Sequence, residues 1–305
     1  MRQGRLHQRR PRLHRDHPLH LAEVGADEPG QHLLHLLGGV QRTGAGGDLD
    51  VGQGDATLLQ LPGGRALLVD AGGQAGSSFD VGDRVVAPAL RAFGVRGLDT
   101  LIVTHGDPDH LGGMPSVLRR FRPRTIWEGV PVPPHAKLRE FAEAAAAAGV
   151  SWRFVQAGDR ERDGGVELRV LHPPPPDWER QRVRNEDSIV LEVRYGDVSI
   201  VLPGDIGAEG ERALLPRLTP ARLVVVKAPH HGSATSSTPA FVRATSPAAV
   251  IFSAGRANRF GHPAPAVVER YRAAGAALYL TARDGAIVLD TDGHTLKVGG
   301  HSSLR

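Results

Sequence analysis

Two histidines and two aspartates fall within six residues in Thr104-His105-Gly106-Asp107-Pro108-Asp109-His110-Leu111-Gly112-Gly113. Imidazole nitrogen and carboxylate oxygen are donors that divalent ions accept, and several in one loop can serve one ion or two. The loop follows an apolar run at 99–104 that reads as a short buried strand. That placement sends the polar side chains off a strand end, where binding loops belong, and argues against an ordinary solvated turn. The chain has no cysteine, which excludes disulfides, thiolate zinc sites and a cysteine nucleophile. Any metal must therefore be held by His and carboxylates.

Weaker signals lie further along. Arg256 and Arg259 flank Asn258 just before His262 and could grip a phosphate with paired N–H donors, although exposed structural arginines read the same way. Lys227, ahead of the pair His230-His231, could do likewise or be solvated at a strand end. Ser233, Ser236 and Ser237 offer hydroxyls but no catalytic-triad order. The run Arg119, Arg120, Arg122, Arg124 reads as a solvated helix face rather than a DNA track.

The elements that must position these groups begin at Asp48, where strand and helix signals start to alternate. Apolar runs at 56–61 and 66–71, separated by Pro62-Gly63-Gly64-Arg65, predict a hairpin. Helical spacing covers 84–93, 113–121, 135–148, 208–215 and 264–274. Strands are expected at 166–171, 188–194, 198–203, 223–227, 249–253, 276–281 and 286–290. Hairpins mixed with strand-helix alternation imply mixed sheets with helices packed outside.

Charge adds little. Residues 1–47 hold seven Arg and four acidic residues, so three of the four net positive charges sit there, and the remainder is nearly balanced at 30 basic and 29 acidic. Overall basicity is thus a poor argument for nucleic-acid binding. No apolar run approaches the ~20 residues needed to span a bilayer, and the short stretch at 33–37 lacks the layout of a secretory signal. The absence of disulfides leaves the compartment open.

The motif 104–113 resembles the His-x-His-x-Asp-His motif of the metallo-β-lactamase superfamily, with Asp107 in place of the second His, as in the ComEC-like DNA-uptake branch and related phosphoesterases. Further pieces resemble that branch in order: Asp50-Val51-Gly52-Gln53-Gly54-Asp55-Ala56, Leu68-Val69-Asp70-Ala71-Gly72-Gly73, residues 185–194, Leu202-Pro203-Gly204-Asp205-Ile206, Pro229-His230-His231-Gly232-Ser233 and Phe260-Gly261-His262-Pro263. The resemblance spans about 48–296 and implies an αββα sandwich, two mixed β-sheets flanked by helices, over 48–305.

It also implies two divalent ions, Zn²⁺ or Mn²⁺, with Asp107 hardening the site enough to admit Mn²⁺ beside Zn²⁺. His105 and Asp107 would bind one ion, Asp109 and His110 the other, and Asp205 both. His262 would be the late ligand, with His231 the alternative. Asp109, His230 and His231 would serve the catalytic step, and Asn185, Ser233, Arg256 and Arg259 would hold substrate. Asp55 and Asp70 would orient ligands from behind. The activity implied is hydrolysis by metal-activated water, without a covalent enzyme intermediate, on DNA or another phosphodiester. Alternatives are a phosphorylcholine-esterase-like small-molecule phosphoesterase and a non-catalytic DNA-binding relic. Members of the branch carry a membrane channel region before this domain, so the chain is expected to be either free-standing or a severed piece that works beside such a channel.

Residues 1–47 read differently, rich in Arg, His, Gln, Gly and Pro without sustained periodicity. They are expected to be a disordered or non-native leader that packs poorly and supplies no ligand despite six His. Gln41-Arg42-Thr43-Gly44-Ala45-Gly46-Gly47 offers little to bury where the branch has an apolar first strand, so a missing strand and an exposed sheet edge are expected.

Overall fold

The structure is a computed structural model and describes residues 32–36, 54–129, 135–175, 185–256 and 258–301. Two mixed sheets face each other. The first runs β15-β14-β1-β2-β3-β4-β5-β6, built from β1 (His32–Leu36), β2 (Thr57–Gln60), β3 (Ala66–Val69), β4 (Thr100–Val103), β5 (Thr125–Glu128), β6 (Ser151–Phe154), β14 (Ala286–Thr291) and β15 (Leu296–His301). The second runs β13-β12-β11-β10-β9-β8-β7, from β7 (Arg160–Asp163), β8 (Val166–His172), β9 (Val190–Tyr195), β10 (Val198–Leu202), β11 (Leu223–Lys227), β12 (Ala249–Phe252) and β13 (Ala277–Leu280). In each sheet one half is antiparallel and the other parallel.

The continuous apolar runs of the central strands follow from burial on both faces. In β4, Leu101 and Val103 pack outward under helices while Ile102 packs inward against the other sheet. In β11, Val225 faces the inter-sheet core and Val224 and Val226 face outward. Helices α1 (Ala87–Ala92), α2 (Pro108–Leu111), α3 (Met114–Phe121) and α4 (Ala136–Ala147) belong to the first sheet's half of the chain, and α1, α3 and α4 cover its outer face. On the second sheet, α5 (Ala208–Leu214), α6 (Pro239–Thr245) and α7 (Pro265–Ala273) do the same, and a single turn, α8 (Thr281–Asp284), precedes β14. The layers are therefore αββα, as expected.

One expectation is overturned. The first sheet does not lack its first strand: β1 pairs antiparallel with β2 on one side and β14 on the other. The strand comes from the short apolar stretch interrupted by His35, not from the glycine-rich residues just before Asp48. A position between two strands offers backbone partners on both sides, which outweighs weak local patterning. The other residues of 1–47, and the expectation that they supply no ligand, lie outside the described residues.

Candidate metal centre

Thr104 and His105 leave the end of β4, and Pro108 opens α2, where the amide it lacks would have had no helical partner. Asp107 occupies the extended position before the helix, yet its side chain makes no capping hydrogen bond. One of its oxygens lies 3.6 Å from His105 Nε2. The loop is clamped by backbone bonds: Asp55 N donates to Asp109 O at 3.1 Å and Ala71 N to His110 O at 2.9 Å. Glycine makes the approach possible, because a Cβ on Gly73 would sit 2.1 Å from Pro108 O.

The second sheet supplies the opposing groups. Asp205 follows β10, and its N–H donates to Ser188 Oγ at 3.1 Å. After β11, His230 and His231 both adopt left-handed backbone (φ 48° and 55°), which for non-glycine residues costs about 1–3 kcal/mol each. The surroundings hold them there. His230 N donates to Gly204 O at 3.1 Å, and Ala264 N to Gly232 O at 2.9 Å. His231 Nδ1 donates to Ser253 O at 2.9 Å.

These elements converge. The Nε2 atoms of His110 and His231 each lie 3.3 Å from Asp205 Oδ2, and His231 Nε2 is also 3.3 Å from Asp109 Oδ2. The His105 ring is centred 4.1 Å from that of His110. Ligand atoms of Asp55, His110, Asp205 and His231 fall within 4.8 Å of one another. Nε2 of His105, His110 and His231 and one oxygen each of Asp55 and Asp205 are buried without a hydrogen-bond partner. Buried polar atoms are almost always partnered, so this group of orphaned donors fits a cation. Behind it, Asp70 accepts from His110 Nδ1 at 2.7 Å, Thr104 N at 2.9 Å and Thr104 Oγ1 at 2.6 Å. Asp55 also sits behind the rings, 3.5 Å from His231 Nδ1 and 3.9 Å from His110 Nδ1, and forms an ion pair with Lys227.

Around the mouth, Asn185 Nδ2 lies 3.3 Å from His230 Nε2, itself 3.8 Å from Asp205 Oδ2. The His262 ring stacks on His231 with centres 6.5 Å apart and meets His230 edge-on at 5.8 Å. Ser233 Oγ contacts Thr235 Oγ1 at 3.0 Å. Arg256 Nε donates to Ala282 O at 2.7 Å, while the Arg259 guanidinium lies over the Phe260 ring, 4.8 Å from its centre.

The family model described as the metallo-β-lactamase superfamily matches residues 49–256. This chain belongs to that superfamily. It is 32% identical over 232 residues to ComE operon protein 3 of Bacillus subtilis, covering 72% of this chain and 30% of that protein. It is 34% identical over 243 residues to Competence protein ComA of Neisseria gonorrhoeae, covering 78% of this chain and 31% of that protein. The chain thus spans about a third of the length of the curated relatives it matches. Among solved structures, CmlA, a diiron β-hydroxylase from Streptomyces venezuelae, aligns with TM-score 0.51 at 16% identity, over 87% of this chain and 55% of that one, a likeness of fold.

Within this metallo-β-lactamase fold, the structure brings together His105, Asp107, Asp109, His110, Asp205 and His231, with Asp55 and Asp70 behind them. It leaves His262 at the rim, where among the described residues it forms no ion pair with a carboxylate, and it ties Arg256 to the backbone of α8. Lys227, expected at the phosphate or in solvent, is instead buried against Asp55, with Asp205 Oδ1 3.8 Å away. Sequence reading missed this pair because its members are 172 residues apart and no local pattern joins them. It also gave no individual role to Ser188, whose hydroxyl approaches His105 Nδ1 at 3.3 Å.

Burial opposes charge on His110 and His231, but Asp205 overcomes it, with Asp70 beside His110 and Asp55 beside His231, and lifts both well above the ordinary imidazole value. Against its own burial, Asp205 is held far below the carboxylate range by the same two imidazoles. Burial, then His231 and His230, keep His262 below the ordinary value. The floor of the centre is therefore anionic enough to retain positive charge where little water reaches.

Proposed function

We propose that this chain is a metal-dependent phosphodiesterase that cuts DNA. The observation that carries this reading is the shared orientation of three imidazoles. Nδ1 of His110 is taken by Asp70, that of His231 by Ser253 O, and that of His105 by the Thr104 hydroxyl at 3.0 Å, which leaves three Nε2 atoms facing the carboxylates. Fixing one ring nitrogen this way presents the other as a metal ligand. In this reading His105 and Asp107 hold one divalent ion, Asp109, His110 and His231 hold the other, and Asp205 serves both. His231 thus takes the late-ligand role, and His262 lines the approach.

Bound ions of this kind activate water and stabilise the entering and leaving oxygens of a phosphodiester. His230, oriented by Asn185, stands where it can meet the phosphate or the departing oxygen. Ser233, Arg256 and Arg259 would be further contacts for the backbone of the substrate. Similarity to two competence proteins supports DNA as the substrate, and a membrane channel for DNA uptake would be the partner. No helix among the described residues is long and apolar enough to cross a membrane.

Single- and double-stranded oligonucleotides, incubated with Mn²⁺, Zn²⁺ or chelator, test the proposal. Metal-dependent cleavage that chelator stops is the expected result. Hydrolysis of bis-p-nitrophenyl phosphate without oligonucleotide cleavage would instead indicate a small-molecule phosphoesterase, and activity on neither would indicate a relic.

A further inference from the structure

Two large apolar side chains are well exposed among the described residues, Phe154 and Phe260, each at 54%. A single exposed apolar side chain is ordinary. Phe154 ends β6, the outermost strand of its sheet. Phe260 is set apart by its neighbours. Its ring is nearly parallel to that of His262, at 15° with centres 5.9 Å apart, and His262 in turn stacks at 22° on His231 of the metal centre. A row of roughly parallel rings thus leads from the buried cluster out to solvent, and the Arg259 guanidinium lies over its outermost member.

The loop that carries this row is built to hold its shape. Asn258 Oδ1 accepts from His262 N at 2.9 Å, and its Nδ2 donates to Gly255 O at 2.9 Å and His262 O at 2.7 Å. Gly261 N donates to Asn258 O at 3.1 Å, with Gly261 in the left-handed region (φ 67°) that closes the turn. One amide therefore satisfies the turn from inside, and Phe260 is pushed outward at its tip. An aromatic ring fixed in the open beside a cation, at the mouth of a phosphate-cutting centre, has the chemistry that receives a nucleobase.

We propose that Phe260 and Arg259 form a stacking platform for an unpaired nucleobase next to the phosphate held in the metal centre, an inference that rests on the phosphodiesterase reading above. The base lies against Phe260, and the guanidinium either caps the stack or turns to a neighbouring phosphate. Bases inside a duplex are already stacked and paired, so the platform selects single-stranded substrate.

Binding separates this from simple backbone recognition. Fluorescence anisotropy with the full, metal-loaded chain compares a cleavage-resistant single-stranded phosphorothioate oligonucleotide with an abasic oligomer of the same length and charge. The unaltered chain should bind the oligomer with bases roughly tenfold more tightly, the range expected for one aromatic stack. Phe260→Ala should bring the two affinities together, and Phe260→Tyr should restore the gap; thermal melting verifies that both variants fold. A base preference that survives Phe260→Ala, or none in the unaltered chain, overturns the platform. Cleavage of ordinary oligonucleotides is scored separately. A Phe260-dependent base preference without cleavage keeps the platform and removes the phosphodiesterase reading, while cleavage without base preference does the reverse.

Discussion

The floor and the rim of the metal centre are built on opposite terms. On the floor, His105, His110, Asp205, His231, Asp55 and Lys227 are all buried, and their charges are matched against one another. At the rim, Phe260 and Arg259 are exposed, and Asp107, His230 and His262 are partly so. Buried charges persist only where opposite charges and hydrogen bonds compensate them, so each floor residue depends on the others. Rim groups remain solvated and can be altered one at a time. The comparison separates the residues proposed to hold the ion from those proposed to read the substrate.

Asp205→Asn should break the floor most severely, because one carboxylate serves both proposed ions: hydrolysis should fall at least a thousandfold, about 4 kcal/mol in barrier terms, with the fold retained by circular dichroism. A variant rate within about tenfold of the unaltered chain, ~1.4 kcal/mol, would remove the bridging role.

The Lys227–Asp55 pair tests the same interdependence through stability. Lys227→Met leaves Asp55 without its cation and should destabilise the chain by about 3–5 kcal/mol in denaturant unfolding. The double change Lys227→Met with Asp55→Leu should recover most of that loss. If the two losses simply add, the pair is not a mutual compensation.

Glu128, at the end of β5, sharpens the comparison away from the centre. Burial raises its carboxyl from 4.5 to about 7, against a hydrogen bond donated by Trp152 Nε1 at 2.8 Å. The folded chain keeps a proton that the unfolded chain releases between those values. Its stabilising contribution is therefore complete below pH 4.5 and is lost as pH rises through about 7, a change of about 3 kcal/mol. Glu128→Gln should flatten that dependence and stabilise the chain at pH 8. An unchanged slope in denaturant melts between pH 5 and 8 would place the proton elsewhere.

The late histidines give the smallest and most discriminating contrast. His231→Ala should lower bound metal in elemental analysis, whereas His262→Ala should leave metal content intact and weaken oligonucleotide binding a few-fold. The opposite pattern would return the ligand role to His262.

Most central strands were legible because burial on both faces writes an unbroken apolar run, as at 223–227, where strand and expectation coincide, whereas β5, flanked by β4 and β6, was not expected. The edge strands β6 and β7 carry no such mark: Ser151–Phe154 and Arg160–Asp163 are polar or exposed, and backbone pairing alone defines them. β1 was hidden for a related reason, since one of its two partner strands, β14, lies far along the chain. In the centre, the clustering of His105, Asp107, Asp109 and His110 could be read from the spacing of one short loop. That His231 rather than His262 lies among the carboxylates could not be read, because it goes with the left-handed backbone at 230–231.

The place of β1 bears on how the chain acquires its shape during synthesis. Its register sets His32 opposite Asp290 and Leu36 opposite both Ile287 and Thr57, so segments far apart in the sequence must meet. Closing so large a loop is entropically demanding, and folds that rest on distant pairings form slowly. The hairpin of β14 and β15 can form locally, but it docks on β1 only after all the residues between them have been made. During that interval β1 presents an unpaired edge, and this is the stage at which a nascent chain is most open to capture by a second copy or by a chaperone.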